Sequence, residues 1–498
     1  MKKHTMNSKA PAIAIVAEGP EQHPVPKAIS PARKVAFEVL LRIGTGQRHC
    51  DELLQSHLLH GLSQEDKNLA TALVMGVLRW QIALDALVVP LLNRPAQKLA
   101  APVAIALRIG AFQLRYLDRI PAHAVLSESV ELCRAGGEPH ATGMVNAVLR
   151  KIAQLPAKDW KLHTATGAAA LALQFAHPLW LVERWVQLYG LESTAAICSA
   201  GQQQPPAVLR YVTEEDTHVV SRPESELKEG LILRCARIGT AAYVAERVTN
   251  TATGEHAMDE GSQLVAELAA QGLPDAGSIL DCCAAPGGKT LVLAERNPSA
   301  QVLASDVSVR RLQEMEHRLG PMTNAGNIHF IHADAIGAED GELFDRILCD
   351  VPCSGTGTLA RNPEIRHRLR PEQLAVHAEK QKAILRASLR RLKPGGRLLY
   401  STCSLEPEEN EAVVAACLQA ENGFKTIDIA EGIAALGARG IVRLDAAGML
   451  MRTAVLAGCL RTLPGVHPCD GFFAAMIERV SVVEFPQSRS GRAGGWMV

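Results

Sequence analysis

Aromatic side chains are scarce: Phe, Trp and Tyr together make up 4% of the 498 residues. The hydrophobic share is 47%, so the apolar content rests on residues such as Ala and Leu, as in a soluble globular protein. Net charge is missing too. Lys plus Arg and Asp plus Glu stand at 52 each, which argues against a chain coated in basic residues and leaves room only for a local basic groove. No apolar run reaches the roughly eighteen residues needed to cross a bilayer, so no membrane is expected. Among the twelve cysteines no pair has CxxC spacing, and no metal is expected. The apolar run near the N-terminus is broken by Glu18 and Pro20 and does not make a signal peptide. A disulfide framework therefore has no context, and reduced thiols in the cytoplasm are expected. There is no internal repeat.

The chain is too long for one core. Residues 1–29 look like a flexible tail. Residues 30–160 carry apolar positions at helical spacing throughout, as in EDKNLATALVMGVLRWQIALDALVVPLL. Residues 161–255 mix a helical stretch, FAHPLWLVERWVQLYG, with alternating runs such as AVLRYV, and suggest a small α+β subdomain. From 256 to 485 short apolar runs alternate with helical stretches, which predicts a parallel, doubly wound α/β sheet. Residues 486–498 are a second tail. Ligands of such sheets bind at the carboxyl ends of the strands, and the candidate motifs all fall there.

DCCAAPGGKT (281–290) joins the first strand of that pattern to its first helix. Its glycines allow a tight turn and close approach of a ligand. It is not a phosphate-binding P-loop, because Cys283 stands where that motif needs glycine, and it lacks the GxGxxG pattern. Acids close the later strands: Asp306 after QVLAS, Asp334 after IHFIHA and Asp350 after RILC. Singly each reads as a turn or helix cap. As an ordered set beside a glycine loop they fit a ligand with a ribose, an adenine and a positive centre, which describes S-adenosylmethionine.

Two cysteines lie on strand-to-helix loops: Cys353 in DVPCSGTG (350–357) and Cys403 in STCSLEPEENE (401–411). The run GRLLY (396–400) predicts a short strand bounded by Lys-Pro-Gly-Gly, and PEENEAVVAAC predicts a helix with acids in its first turn. DCCAAPGGKT, DVPCSGTG and STCSLEPEENE, in that order, resemble the motifs of the RNA cytosine-5 methyltransferases. The helical front segment and HPLWLVERW narrow the resemblance to the bacterial 16S ribosomal RNA type (Sun, also called Fmu), whose front domain is similar to the antitermination factor NusB. DGFFAAMI (470–477) resembles the family's last core strand.

The resemblance implies a NusB-like all-α domain, a small α+β linker and a Rossmann-like, class I S-adenosylmethionine-dependent domain. It implies Cys403 as the nucleophile, Cys353 as an aid to proton removal and release, and Asp350 on the cytosine edge. Lys289 is placed near both sites. The cofactor stretch maps to Cys283, Ala284, Ala285, Pro286, Gly287, Gly288 and Lys289, followed by Asp306, Asp334 and Asp350. The remaining cysteines, Cys282 and Cys349 among them, read as buried and inert. The implied partner is 16S ribosomal RNA, naked or partly assembled, because the target base must leave its stack. A monomer is expected. Two alternatives stay open: the same chemistry on transfer RNA or another ribosomal site, and a non-catalytic RNA-binding assembly factor.

Residues 361–397 are rich in Arg and Lys, and beside a substrate site they read as a phosphate-contacting wall. Tyr211, Thr213 and Met258 depart from the family pattern at positions expected to contact RNA or to support the structure. Residues 436–463 exceed the family's usual length, and the sequence assigns them no role.

Overall fold

The computed structural model describes residues 28–481 apart from 47–49, 55, 97, 157–165, 212–226, 241–243, 245–254, 321–325 and 338–340. Most of both expected tails and Thr213 lie outside the described residues.

Among the described residues six α-helices come first: α1 (Pro31–Gly44), α2 (Cys50–Leu54), α3 (Gln64–Val88), α4 (Ala101–Tyr116), α5 (Ala122–Ala135) and α6 (Thr142–Gln154). Ser63 caps α3 by accepting the Asp66 N–H, and Glu65 and Asp66 complement the positive end of its dipole. Gly76 lets α4 approach: a Cβ there would fall 1.9 Å from Phe112 Cζ. Leu73, Val77, Leu107, Phe112, Leu132 and Leu149 fill the shared core. The segment Gln64–Leu91 is long and apolar enough to cross a membrane by length and composition. That apolar length was not expected from the sequence. Here Leu73, Val74, Val77, Leu78 and Leu84 are buried in the helical core.

Helices α7 (Gly167–Gln174) and α8 (Leu179–Ala200) follow, the second kinked at Gly190 where φ is 78°. A small antiparallel sheet comes next, in the order β2-β3-β1-β4: β1 (Ala207–Arg210), β2 (Lys228–Glu229), β3 (Ala236–Gly239) and β4 (His256–Ala257).

The remaining chain is α/β. It runs α9 (Glu260–Ala270), β5 (Ser278–Asp281), α10 (Gly288–Arg296), β6 (Gln301–Asp306), α11 (Val309–Leu319), β7 (Ile328–His332) and β8 (Phe344–Asp350). Then come α12 (Ile365–Arg368), α13 (Pro371–Arg390), β9 (Leu392–Thr402), α14 (Glu411–Ala420) and β10 (Phe424–Ile427). The end is α15 (Ile429–Ala438), α16 (Leu444–Thr453), β11 (Val455–Leu456), β12 (Cys459–Arg461) and β13 (Phe473–Arg479). The sheet order is β11-β12-β13-β9-β8-β5-β6-β7, with β10 also on β13. Strands β5 to β9 pair in parallel, and β13 pairs antiparallel with β9. The strand order reverses at β5, the position where such sheets open a ligand crevice. This is the expected fold class, with an antiparallel edge added.

Two local expectations change. Lys393-Pro394-Gly395-Gly396 does not bound β9 but lies inside it as a bulge. The register jumps between Phe344 and Arg346 of β8, and Gly395 takes φ +76°. Residues 436–463 also acquire a place. They contribute α16, β11 and β12, and Leu233 bridges to Val442 in the small sheet's neighbourhood.

The helical front and the α/β unit are docked through the segment after Cys353. Arg366 is 1% exposed and donates to the carbonyls of Gly201 (2.9 Å), Leu359 and Arg79 (both 3.3 Å). His367 Nε2 contacts Leu78 O at 2.6 Å, Arg368 donates to Ile43 O at 2.8 Å, and Arg79 donates to Ala360 O at 2.8 Å. Burial, and then the nearby Arg79, push the Arg366 guanidinium down to about 9. This overturns much of the phosphate-wall reading. Arg361 binds Asp259 and Asp470, Lys393 binds Asp345, Arg390 binds Glu421 and Arg397 binds Glu478. Those partners lie far away in sequence, so composition could not reveal them. Arg366→Met removes three hydrogen bonds at this seam, two of them to the buried carbonyls of Gly201 and Leu359. It is expected to destabilise the protein by about 2–3 kcal/mol, read as a lower thermal midpoint and faster proteolysis between the units.

Candidate active site

β8 and β9 are parallel neighbours in the register Asp350↔Ser401, so their carboxyl ends emerge side by side. Cys353 follows the first strand and Cys403 the second. Their Sγ atoms lie 3.5 Å apart although the residues are 50 positions apart in sequence. Both thiols are half-buried, whereas Cys282 and Cys349 are buried. Cys459 and Cys469, expected to be buried, are only partly so. The contact with Cys403, reinforced by burial, pushes the Cys353 thiol well above the ordinary cysteine range.

Asp350, the last residue of β8, binds Lys289 Nζ through Oδ2 at 2.7 Å and accepts from Ser401 Oγ at 2.6 Å. Lys289 also lies 5.4 Å from the Phe472 ring centroid. Burial alone would lower its pKa, but the adjoining Asp350 carboxylate holds it above the ordinary value. Lys289 thus stays charged next to the thiols.

The glycine loop crosses the end of β5 at the sheet's reversal point. Gly287 adopts φ 98°, and a Cβ there would stand 2.7 Å from Met315 Cγ, so both backbone and space call for glycine. Cys283, Ala284 and Ala285 precede it, the Ala285–Pro286 peptide is cis, and Gly288 and Lys289 begin α10. Asp306 accepts the Ala285 N–H at 3.1 Å and the Ser308 N–H at 2.8 Å, so it shapes this loop. Asp334 is exposed and accepts the Ile336 N–H at 3.0 Å. The loop, Asp306 and Asp350 thus rim the ends of adjacent parallel strands, with Asp334 just beyond β7.

Three family models match the chain. One described as 16S rRNA methyltransferase RsmB/F covers residues 271–478, the NusB family covers 30–154, and a ferredoxin-like domain of RsmF/B-like methyltransferases covers 177–218. The probable ribosomal RNA small subunit methyltransferase B of Bacillus subtilis is 31% identical, over 90% of this chain and 98% of its own length. Its Synechocystis counterpart is 33% identical, over 90% and 99%. The chain belongs to the ribosomal RNA small subunit methyltransferase B family. The solved structure of PH0851 shares the fold, with a TM-score of 0.73 and 21% identity over 91% of this chain and 100% of that one.

In this member of the methyltransferase B family, several supports of the site escaped sequence reasoning. Glu409 is fully buried and accepts from Ser354 N (2.8 Å), Gln381 Nε2 (3.0 Å) and the hydroxyls of Ser354 and Ser404. It ties the two cysteine loops together. The sequence had suggested only that acids here complement a helix dipole. Gly357 N donates to Cys403 O at 2.9 Å, and Leu405 N to Thr356 Oγ1 at 2.9 Å. From α8, Trp185 Nε1 donates to the buried Glu406 at 3.0 Å, Arg184 pairs with Glu406 and Glu408, and Tyr189 donates to Leu405 O. HPLWLVERW was legible as a family mark, but its contact with the Cys403 loop was not.

Two departures from the family pattern, Tyr211 and Met258, have packing roles. Tyr211 is buried with Leu209 and Val244 under the Arg237 guanidinium. Met258 packs against Ala266 and Val292.

Asp281 also escaped notice. It ends β5, accepts from Thr290 Oγ1 at 2.7 Å and leaves Oδ1 without a partner. Burial pushes its pKa up to about 7. A raised carboxyl pKa means that the folded state holds a proton the unfolded chain has lost. This contribution is present at low pH and fades as pH rises from the ordinary carboxylate range through about 7. Asp281→Asn is expected to flatten the fall in melting temperature between pH 5 and pH 8 by a few degrees relative to wild type. Parallel slopes for the two proteins would refute the assignment. A second expectation concerns Gly357. A Cβ there would lie 2.2 Å from Gly471 O, so Gly357→Ala is expected to lower the melting temperature measurably.

Proposed function

We propose that this chain is an S-adenosylmethionine-dependent RNA cytosine-5 methyltransferase that modifies one cytosine of 16S ribosomal RNA. The carrying observation is the pair of half-buried thiols 3.5 Å apart, beside the Lys289–Asp350 ion pair. The names of the relatives, ribosomal RNA small subunit methyltransferase B, support the substrate class.

The residues fit the cofactor. The loop Cys283–Lys289 sits at the sheet's reversal point, and Asp306 and Asp334 keep oxygen lone pairs that can meet ribose and adenine groups. When bound there, S-adenosylmethionine supplies an electrophilic methyl group. Cys403, as thiolate, adds to carbon 6 of cytosine and makes carbon 5 electron-rich. Lys289 favours the thiolate by its charge. Asp350 accepts from the amino edge of the base and orients it, while the adjoining Lys289 offsets the negative charge that the thiolate brings to the ring. After the methyl reaches carbon 5, Cys403 is covalently bound and no longer raises the Cys353 pKa. Cys353 then loses its proton to solvent and takes the carbon 5 proton. The freed electron pair restores the carbon 5–carbon 6 double bond and expels the Cys403 thiolate.

The test uses labelled S-adenosylmethionine and undermodified 16S RNA. Cys403→Ala is expected to lower methyl transfer by roughly 10⁴-fold or more. Cys353→Ala is expected to accumulate a protein–RNA adduct that survives denaturing electrophoresis. Wild-type rates from both variants would exclude the mechanism. Free 16S RNA is expected to react faster than mature 30S subunits, because the base must be extracted.

A further inference from the structure

Residues 439–445, within the 436–463 extension, and the small sheet enclose an open groove of about 730 Å³. Its lining includes Arg234 and Arg237 from the sheet side and Arg439 and Arg443 from the α15–α16 side. Two carboxylates face them, Glu229 and Asp445, and both pair with Arg443. Arg234 and Arg439 are exposed, and no described residue gives either side chain an ion pair or a hydrogen bond. Arg439 also lines the adjoining cleft, which reaches Arg296 and Asn297.

The walls are joined by backbone. Arg234 N donates to Ile441 O at 3.1 Å, and Arg443 N donates to Ile232 O at 2.9 Å. The turn 231–233 is held in turn by buried Glu260, which accepts the N–H groups of Leu231, Ile232 and Leu233 at 2.6–2.8 Å. Arg237 is propped by its own stack over Tyr211, 5.6 Å from the ring centroid, and by the carbonyls of Arg234 and Ala236. The guanidinium groups are therefore carried on a fixed frame. A surface arginine is usually just solvated. Two arginines with no partner among the described residues in one concave groove, with two more on its walls, give the sign of charge a polyanion needs.

We propose that this groove binds the sugar–phosphate backbone of the RNA substrate, as an anchor separate from the thiol site. This rests on the reading of the chain as an enzyme acting on RNA. It also gives the 436–463 extension a role: Arg439 and Arg443 are supplied by it.

The experiment uses the full chain with Arg234→Glu and Arg439→Glu combined. Binding to a 16S RNA transcript, and to an unrelated RNA of equal length, is measured across a salt series. The expected result is roughly tenfold weaker binding near 100 mM salt on both RNAs. The slope of log affinity against log salt should become shallower by about two. Arg234→Lys with Arg439→Lys should restore most of the loss, since phosphate needs the charge. The melting temperature should match wild type, because neither side chain has a partner among the described residues to lose. Unchanged affinity and slope on both RNAs would overturn the groove. Methyl transfer by the unaltered protein is scored separately. Its absence would remove the proposed function, while the salt slopes would still decide the groove.

Discussion

Glu409 is sealed from solvent, and the two cysteine loops are arranged around it. Its carboxylate gathers a backbone N–H and a hydroxyl of Ser354, the Ser404 hydroxyl and the Gln381 amide. Ser354 follows one candidate thiol and Ser404 the other. A buried acid is tolerated only when its lone pairs are filled, and here the donors come from both cysteine loops and from α13. The β8–β9 register brings the two loops side by side, and this one satisfied acceptor ties them to each other. Asn410 extends the lock, accepting from Thr402 and donating to Ser404 O.

That lock is continuous with the docking of the helical front. The Cys353 loop leads through Thr356 and Gly357 into 359–368, whose Arg366, His367 and Arg368 hold backbone carbonyls of the front helices and of the α8 C-terminus. On its other side the Cys403 loop is braced by Trp185, Arg184 and Tyr189 of α8. Gly471 closes the remaining face, its N–H donating to Gly357 O at 2.9 Å. The units of this chain therefore meet around the thiol loops. Of the charges that look like an RNA-facing wall, Arg366 and Arg368 are consumed in building that junction, and Arg390, Lys393 and Arg397 are paired inside the α/β unit.

Much of the plan was readable along the chain. Helical periodicity marked the front domain, strand–helix alternation marked the sheet, and the three motifs marked the strand ends. Each is a local signal. The failures have a common cause. Lys393 to Gly396 carries turn residues but forms a bulge, because β8 still offers pairing partners on both sides of it. Arg361 and Arg366 look like free charge until Asp470 and the carbonyl of Gly201 arrive from elsewhere in the chain. Glu409 looks like a helix-start acid until Ser354 comes to it from 55 residues away.

By itself, the sequence determined which chemical groups stand at each strand end. It set the order of the glycine loop, the acids and the two cysteines, because turn residues and apolar periodicity act over a few neighbours. Only the tertiary structure decided which of those groups meet. The parallel register of β8 and β9 brings two thiols to 3.5 Å, and buried partners decide whether a charge is a fastening or a contact surface. Those outcomes depend on long-range pairing and desolvation, which no local pattern encodes.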